Sequence, residues 1–364
     1  MGLRIEVPQG NQALTEFVQF YDYVYDYRDA RWPAPLELQL PILAGGSPFA
    51  QGREIRPFLA CEGSNIVSRA VAVVDDRYNL HWKERLGHIV MFEAMPDGRE
   101  ATQLLMDTAC EWLRERGAEA ARAGFGVLDF PFVVDDYESL PPDIVRHNPD
   151  YYHRLLKDAG FESEKGWVDY KIEVRPELIE QWNHALEAAR RKGHEIVPLK
   201  DVSNVRRTGD FAATWKDTFK AHWGFTPLSE DEISLLLEAF KPVGVFDTSV
   251  IAYHNGAPVG MLFVVPEVSD TAVLKPGRVL KDSEKVNILA IGVRESARGQ
   301  GVNLAMAAYA YLELVRRGAK YLSYTLVLDD NWPSRRTAEK LCAFVCANYM
   351  VYRRNFRDRL RRKG

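Results

Sequence analysis

Alternating apolar and polar positions divide the chain into short strands and helices, and the order of these elements occurs twice. Residues 58–76 (FLACEGSNIVSRAVAVVDD) and 250–268 (VIAYHNGAPVGMLFVVPEV) each hold two apolar runs around a polar turn that contains glycine. This pattern is typical of a β-hairpin. A third apolar strand follows each hairpin, at 86–94 and 286–293.

Helical patterns follow in both halves. The spacing of apolar residues predicts helices over 97–117 and 299–317, and both end in Arg-Gly-Ala, with glycine as the usual stop signal. A further strand comes next, then helices at 151–161 and 337–345, then a last strand. An order of this length that occurs twice indicates an internal duplication. We therefore predict an α/β fold with mixed sheets, built from two tandem modules.

The boundary between the modules is predicted near residue 175, giving modules of 1–175 and 176–364. Pro176 is suited to the first turn of a helix that opens the second module. The length of 364 residues also favours two domains. Residues 30–57 are rich in proline and glycine and are predicted to be a long loop. Because this stretch carries Trp32 and several leucines, we expect it to cover one face of the protein.

Composition restricts the environment and the partners. A net charge of −4 and a pI near 6.1 give no overall attraction to nucleic acid or to anionic membranes. The N-terminus lacks the pattern of a signal peptide, so we expect a cytoplasmic protein with no membrane partner. The basic tail that begins at Arg353 is a weak exception; it could contact RNA, although solvation is the simpler interpretation. The oligomeric state stays open.

The four cysteines form no CxxC pair and are predicted to be buried free thiols, and no metal site is expected. Cys342 and Cys346 would be neighbours on one helix.

The stretch VRESARGQGVN at 293–303 carries the clearest chemical signal. Gly299 and Gly301 allow a sharp turn and leave backbone N–H groups accessible, and the helix that follows adds unpaired N–H donors. Arg298 adds a full positive charge with a forked donor geometry. Together these features predict a pyrophosphate-binding loop. Its residues are Arg298, Gly299, Gln300, Gly301, Val302 and Asn303.

VRESARGQGVNLAM resembles motif A, Q/R-x-x-G-x-G/A, of the GCN5-related N-acetyltransferases (GNAT). The whole chain resembles a bacterial subfamily of two-module members without an established substrate, through RWPAPLELQL, SPFAQ, HNPDYYHRLLKDAGF and ATWKDTFKAHWGFTPLSEDE. The resemblance implies two tandem GNAT-like modules that use acetyl-CoA or another acyl-CoA as co-substrate. It also implies that backbone groups of Ile291 and Val293 pair with the pantetheine arm, with Asn331 nearby. Asn331 is equally suited to capping a helix.

Two positions depart from the family pattern. Asn303 stands where the motif ends in a small residue, and Ala338 stands where many members carry a tyrosine that protonates the leaving thiolate. We expect acyl-CoA binding to survive, because both glycines are present. A thiol pKa of about 8.5 makes coenzyme A a tolerable leaving group, and Tyr324 or Tyr352 could act as the acid.

The first module lacks the loop. Its equivalent, FEAMPDGREATQLL, has one glycine and places Asp97 and Glu100 near the helix start, where they would repel a pyrophosphate. We therefore expect the first module to bind no coenzyme A, to complete the acceptor pocket and to bury one face of the second module.

The groups that would move protons are less well defined. Glu284 is the nearest carboxylate before the strand at 288–293 and is the candidate base, although a charged residue at a strand end is more often only solvated. The aromatic stretch TWKDTFKAHWGFTP reads as a helix ending at Gly224, over the acceptor site in the resembled fold. Further candidates are Asn287, Ser323 and Thr325 for positioning a water, and His222 as a weaker base.

Three functions fit these observations. The first is an acyl-CoA-dependent N-acyltransferase, with acetyl-CoA as the expected donor, acting on an amine of a small or amino-acid-like molecule. The second is an aminoacyl-tRNA-dependent transferase of the FemABX type, favoured only by the basic tail. The third is a non-catalytic coenzyme A sensor or scaffold, favoured by Ala338 and Asn303.

Overall fold

The computed structural model describes residues 2–127 and 129–356, and two sheets account for nearly all of its strands. The strands are β1 Leu3–Glu6, β2 Ala30–Arg31, β3 Arg53–Glu62, β4 Asn65–Asp75, β5 Leu86–Ala94, β6 Ala120–Ala123, β7 Phe132–Val133, β8 Glu162–Glu173, β9 His194–Pro198, β10 Val250–His254, β11 Ala257–Val265, β12 Val273–Leu274, β13 Ile288–Val293, β14 Tyr321–Leu328 and β15 Phe344–Asn355. The helices are α1 Gly10–Tyr25, α2 Leu36–Leu43, α3 Asp76–Trp82, α4 Arg99–Glu115, α5 Tyr152–Asp158, α6 Pro176–Arg191, α7 Asn204–Phe219, α8 Glu230–Ala239, α9 Val245–Thr248, α10 Val302–Arg316 and α11 Trp332–Lys340.

The larger sheet has the strand order β1-β3-β4-β5-β6-β15-β8-β14, with β7 against β15, and the smaller sheet has the order β13-β11-β10-β9. Most pairs are antiparallel, while β5 and β6 are parallel, so the sheet is mixed as expected. Both hairpins predicted from the sequence are present, as β3–β4 and β10–β11.

The two halves exchange their last strands. β8 closes the first half, yet it pairs with β14 of the second half; β15 closes the second half, yet it pairs with β6 of the first. β8 and β15 also pair with each other, so the order β6-β15-β8-β14 crosses the molecule without a break. The helix that opens the second half begins at Pro176, as expected. Because of the exchange, however, neither half has a complete sheet by itself.

Helices cover the sheets and bury separate apolar clusters. In the first half α1, α4 and α5 pack over β3–β6, around residues such as Phe92 and Leu105. In the second half α6, α10 and α11 pack against β10, β11, β13 and β14, around Trp182 and Met306. A further cluster, which we call the junction cluster, lies between the halves. It consists of Val133, Val145, Trp167, Val265, Ile288, Leu328, Ala347, Tyr349 and Val351.

A buried group of charges joins α8 to the first half. Glu232 forms ion pairs with Arg53 and with Arg77, at 2.5 and 2.7 Å, and Arg53 also pairs with Asp75 at 2.7 Å. The side chains of Arg53 and Glu232 are fully buried. Burial alone would raise the pKa of Glu232, but the hydrogen bond from Arg77 and the charge of Arg53 hold it below its usual value.

Removing the Glu232 carboxylate should strongly destabilise the protein. The Glu232→Ala change leaves Arg53 buried with one ion-pair partner fewer, and breaking a buried pair in this way costs about 3–5 kcal/mol. Glu238→Ala, on the same helix, is the matched control, because its pair with Lys241 is exposed and such pairs contribute about 0–1 kcal/mol. Chemical denaturation of both variants measures the difference, and equal losses would contradict this assignment.

Several sequence expectations need correction. Residues 30–57 do not form a long loop, because they contain β2, α2, a 3-10 turn and the start of β3. Trp32 and Ile42 are buried as expected, and Leu36 packs beside a first-half cluster. The predicted helix at 337–345 ends at Lys340, and β15 begins at Phe344. The tail residues from 357 onward lie outside the described residues.

The cysteine prediction is also wrong in part. Cys342 lies in the turn after α11 with φ of 53° and is exposed, whereas Cys346 lies in β15 and is half-buried. They are therefore not neighbours on a helix. Cys61 and Cys110 are buried free thiols, as predicted.

Candidate functional site

The facing edges of the two sheets open beside the predicted loop. β13 is the last strand of the smaller sheet and β14 is the last strand of the larger one, and the two strands do not pair. At the start of β13 they are tied by Asn287, whose Oδ1 accepts a hydrogen bond from the Ser323 N–H at 3.0 Å and whose C=O accepts one from the Ser323 hydroxyl. The strands then lead to the N-termini of α10 and α11.

The register of β13 shows which backbone groups face this opening. The Arg294 N–H donates to the Val259 carbonyl at 2.8 Å, so Arg294 points toward β11. Orientation alternates along an antiparallel strand, so Gly292 and Ala290 also bond to β11. The N–H and C=O groups of Ile291 and Val293 therefore point away from β11, along the open edge. These are the two residues that the resemblance assigns to pantetheine.

The loop after β13 presents a run of free donors. Gly299 and Gly301 have φ of 75° and 87°, and no other residue lies within 4 Å of the space that a side chain would take. Within the described residues, the N–H groups of the six residues 299–304 make no hydrogen bond to a protein acceptor; the next donor, Ala305, bonds to the Gly301 carbonyl. At a helix N-terminus, such an array suits an anionic group.

Two cations flank these donors. Arg298 is exposed, and its Nε lies 3.3 Å from the Val293 carbonyl oxygen. Lys192, in the turn after α6, donates to the Gln300 carbonyl at 3.1 Å. Lys192 could not be predicted from the sequence, because it precedes the loop by more than a hundred residues and only the packing of α6 against α10 brings it there.

The remaining loop residues have separate contacts. The Gln300 side chain donates to the Ser296 carbonyl at 3.0 Å and approaches the His194 ring at 3.0 Å, so it shapes the loop. Val302 is buried in the core of the second half. Asn303 is half-buried, and α10 has no side-chain cap at its N-terminus.

Asn331 and Tyr324 lie on the β14 side of the opening. The Asn331 side chain accepts from the Ser334 N–H at 3.3 Å and so caps α11, the role that its residue type favours. Tyr324 is buried beside Ser334, and burial raises the pKa of its hydroxyl, which keeps the proton available. Ala338 is fully buried in the core, whereas Tyr352 packs in the first half and bonds to His153 at 2.6 Å. Tyr352 is thus excluded as an acid for this opening.

The contacts of Glu284 argue against its role as a base. Its carboxylate accepts from the backbone N–H groups of Leu140 and Lys281 at 3.0 and 2.8 Å and pairs with Arg278. Burial would raise its pKa, but these donors lower it below the usual value. Glu284 therefore ties the loop before β13 to the first half, and an ionised carboxylate surrounded by donors is a poor base.

Glu284→Gln should leave catalysis intact and lower stability. The variant loses the ion pair with Arg278 and weakens one backbone contact. We expect this to lower the free energy of unfolding by about 1–3 kcal/mol. Loss of a general base would instead reduce kcat by about 10²–10⁴-fold. Thermal unfolding and initial rates distinguish the two, with Glu295→Gln, an exposed carboxylate in the next turn, as the control. A fall in kcat of that size without loss of stability would restore Glu284 as the base.

The corresponding opening in the first half is filled by the protein itself. β5 pairs with β6 only as far as Ile89. Beyond it, Arg146 donates to the Phe92 carbonyl at 3.1 Å, while Tyr152 and Tyr151 bond to the N–H and the carbonyl of Ala94 at 2.9 and 2.8 Å. These backbone groups correspond to the outward-facing groups of Ile291 and Val293, where the one bond among the described residues is that from the exposed Arg298 side chain to the Val293 carbonyl. The first half therefore has no open strand edge for a pantetheine arm.

The loop of the first half is closed as well. Gly98 has φ of −79°, and a side chain there would approach Val67 to 2.9 Å. Its N–H bonds back to the Met95 carbonyl at 3.0 Å. The turn therefore packs against β4, and the Gly98 N–H is not available to a ligand.

The aromatic stretch of the second half divides into two groups. α7 ends at Phe219, five residues before the predicted end, and Trp215 and Phe219 pack in the core between α7 and the smaller sheet. Trp223 instead packs beside Trp167 and Phe125 at the junction cluster. His222 bonds to the Trp223 carbonyl, and burial lowers its pKa, which fits a structural histidine.

Residues 211–344 match the acetyltransferase (GNAT) family model. A tandem GNAT protein from the clavulanic acid biosynthesis pathway superposes on 98% of this chain and 99% of its own, with a TM-score of 0.60 at 11% identity. Residues 211–344 form a GNAT domain, and the whole chain has the tandem GNAT fold. The opening between β13 and β14 and the loop at 298–303 belong to this GNAT domain.

Two further proteins are similar to this chain. A bacterial ceramide synthase from Caulobacter vibrioides is 22% identical over 350 residues, covering 89% of this chain and 90% of that protein. A GCN5-related glucosamine N-acetyltransferase region in a fungal multi-domain β-N-acetylglucosaminidase superposes with a TM-score of 0.59 at 16% identity. It covers 97% of this chain, and the chain spans 38% of that longer protein.

Two features are absent from the described residues. No helix there is long and apolar enough to cross a membrane. In the same part of the chain, no group of three or more His, Cys, Asp or Glu side chains is arranged to hold a metal ion.

Proposed function

We propose that this chain is an acyl-CoA-dependent N-acyltransferase with one donor site, in the second half. The observation that carries the proposal is the contrast between the halves. The six free N–H groups of residues 299–304 adjoin an open strand edge, whereas the same edge in the first half is bonded by Arg146, Tyr151 and Tyr152. A donor with a pyrophosphate and an amide-containing arm fits the first arrangement and is excluded from the second.

Each group near the opening then has a role. The N–H groups of the loop, with Arg298 and Lys192, bind the pyrophosphate. The open-edge groups of Ile291 and Val293 pair with the pantetheine amides, and an N–H of the same strand polarises the thioester carbonyl. Tyr324 donates a proton to the departing thiolate.

For the acceptor, we propose the amine of a long-chain amphiphilic molecule. The relative named bacterial ceramide synthase covers almost the whole chain, and the junction cluster supplies an apolar region next to the start of β13 through Val265, Ile288 and Leu328. Apolar contacts with this region would stabilise the bound hydrocarbon part by about 25 cal/mol per Å² of surface removed from water. Residues of the first half contribute to this cluster, in keeping with its expected role in completing the acceptor pocket. A cytoplasmic location and the absence of a nucleic acid partner stay predictions.

The test is a calorimetric titration with acetyl-CoA and with a long-chain acyl-CoA, followed by an amine screen. We expect one donor molecule per chain, and release of free thiol with long-chain amino alcohols but not with short polar amines. Binding to two sites would contradict the closed opening of the first half. Binding without turnover of any amine would favour a coenzyme A sensor, and no binding at millimolar donor would favour the tRNA-dependent alternative.

A further inference from the structure

A row of buried polar side chains crosses the sheets where the two halves meet. It begins at Asn287, passes through Ser323 and Thr325 on β14, whose hydroxyl oxygens are 2.8 Å apart, and reaches Asp169 and Lys171 on β8. All five are no more than 8% exposed. Side chains two apart on a strand share a face, so the row lies on the face of the junction cluster.

Asp169 is the carboxylate of this row. β14 has a register shift opposite it, and the N–H of Leu326, whose φ is 50°, donates to its Oδ1. The Tyr349 hydroxyl lies 3.4 Å from Oδ2. Across the described part of the chain, no lysine, arginine or histidine nitrogen lies within 4.0 Å of either oxygen. The carboxylate is therefore held in place without an ion pair.

Burial without a salt bridge raises the pKa of Asp169 to about 7, although the Leu326 N–H, Tyr349 and Lys171 oppose the shift. A carboxylate with such a pKa can accept a proton near neutral pH and release it afterwards. Burial also raises the pKa of Cys346, to about 12, and that of Tyr349, so both remain protonated. The titratable groups facing this region are Lys171 on β8, Cys346 and Tyr349 on β15, Asp135 and Asp136 after β7, and His222 after α7.

Two buried donors on this face have no partner among the described residues. The Trp167 indole N–H lies on the same strand and face, two residues before Asp169, and the Asn287 side-chain N–H₂ lies at the other end of the row. Both are buried and make no hydrogen bond with described residues. Buried polar groups are normally paired, so both donors are available to bond to a water or a polar ligand.

We propose that Asp169 is the general base that removes the proton from the ammonium group of the acceptor. The proposal rests on the N-acyltransferase function above. The proton moves from nitrogen to the Asp169 carboxylate, and the nitrogen lone pair then forms a bond to the thioester carbonyl carbon. The carbon–sulfur bond breaks, and Tyr324 donates its hydroxyl proton to the thiolate. A second proton then leaves the nitrogen and reprotonates the tyrosine oxygen. Asp169 afterwards releases its proton to solvent.

This role of Asp169 gives the exchanged strand β8 a function in catalysis. β8 belongs to the first half in sequence, but it lies against β14 of the GNAT domain. The first half would thus supply the base to a donor site that lies in the second half.

The test is the pH dependence of kcat at saturating donor and acceptor. Asp169 must be ionised to act, so the wild type should lose activity as pH falls through about 7. Asp169→Asn keeps an acceptor for the Leu326 N–H, and it should lower kcat by about 100-fold or more and abolish this pH dependence. Asp169→Glu should recover part of the rate, and Asp135→Asn, whose side chain bonds to Asn348, should match the wild type.

Thermal unfolding adds a readout that does not need activity. A carboxyl pKa raised in the folded state means that stability falls as pH rises through about 7. The melting temperature of Asp169→Asn relative to wild type should therefore be higher at pH 8 than at pH 5. An unchanged difference would overturn the assigned titration.

The outcomes separate the two proposals. A wild type that acylates no amine refutes the N-acyltransferase function and, with it, this role. An active wild type whose kcat does not change near pH 7, or an Asp169→Asn variant that keeps the pH dependence, refutes the role of Asp169 alone. If Asp169→Asn does not fold, the wild-type profile and the Asp169→Glu variant still decide the question.

Discussion

The Gly301→Glu variant is expected to lose acyl-CoA binding while it keeps the fold. Gly301 has φ of 87° and is the N-cap of α10, with free N–H groups on both sides. A glutamate there places a negative charge where the pyrophosphate binds. Its left-handed backbone conformation also lowers the stability of the fold by about 1–2 kcal/mol. We expect the affinity to fall by about 100-fold or more, which corresponds to about 2.7 kcal/mol. Isothermal titration with the acyl-CoA measures it.

Gly318→Glu is the matched control, because it introduces the same side chain after the other end of the same helix. Gly318 has φ of 93° and also has open space around it. Both variants should lose similar stability, but only Gly301→Glu should lose binding. Equal affinities in the two variants would refute the assignment of the loop to the pyrophosphate.

Separating the halves is expected to abolish folding of both. A chain of residues 1–175 lacks β15 between β6 and β8, and a chain of 176–364 lacks β8 between β14 and β15. Each fragment would expose strand edges and half of the junction cluster to water, and exposed edges promote aggregation. Circular dichroism and size-exclusion chromatography of the separate fragments measure this result.

Co-expression provides the control for this experiment. The two fragments together can rebuild the order β6-β15-β8-β14, so we expect them to co-purify as a folded complex that binds acyl-CoA. A fragment of residues 176–364 that folds cooperatively and binds acyl-CoA by itself would contradict the exchange.

Much of the donor site could be predicted because its signals are local. A strand, two glycines, an arginine and a helix occupy about thirty consecutive residues, and their conformations follow from steric limits and helix capping. The same holds for the two hairpins and for Asn331, whose capping role follows from its side chain. The end of α11 was missed because an apolar run continues past Lys340, and only the turn at Cys342 separates the helix from β15.

The groups that act on the acceptor could not be predicted in the same way. Glu284 is close in sequence to β13, but its oxygens are taken by Leu140, Lys281 and Arg278. Asp169 is more than a hundred residues away from β13 and carries no motif. Its burial and the lack of a cation beside it raise its pKa, and both depend on which strands are its neighbours.

By itself, the sequence determined the duplication, the order of strands and helices, and the anion-binding loop, since these depend on residues near one another in the chain. The tertiary structure alone decided which half completes which sheet, that the first opening is closed by Arg146, Tyr151 and Tyr152, and that Lys192 reaches the loop. The physical reason is that burial, hydrogen-bond satisfaction and strand pairing are set by neighbours distant in the chain. The local sequence pattern does not specify those neighbours.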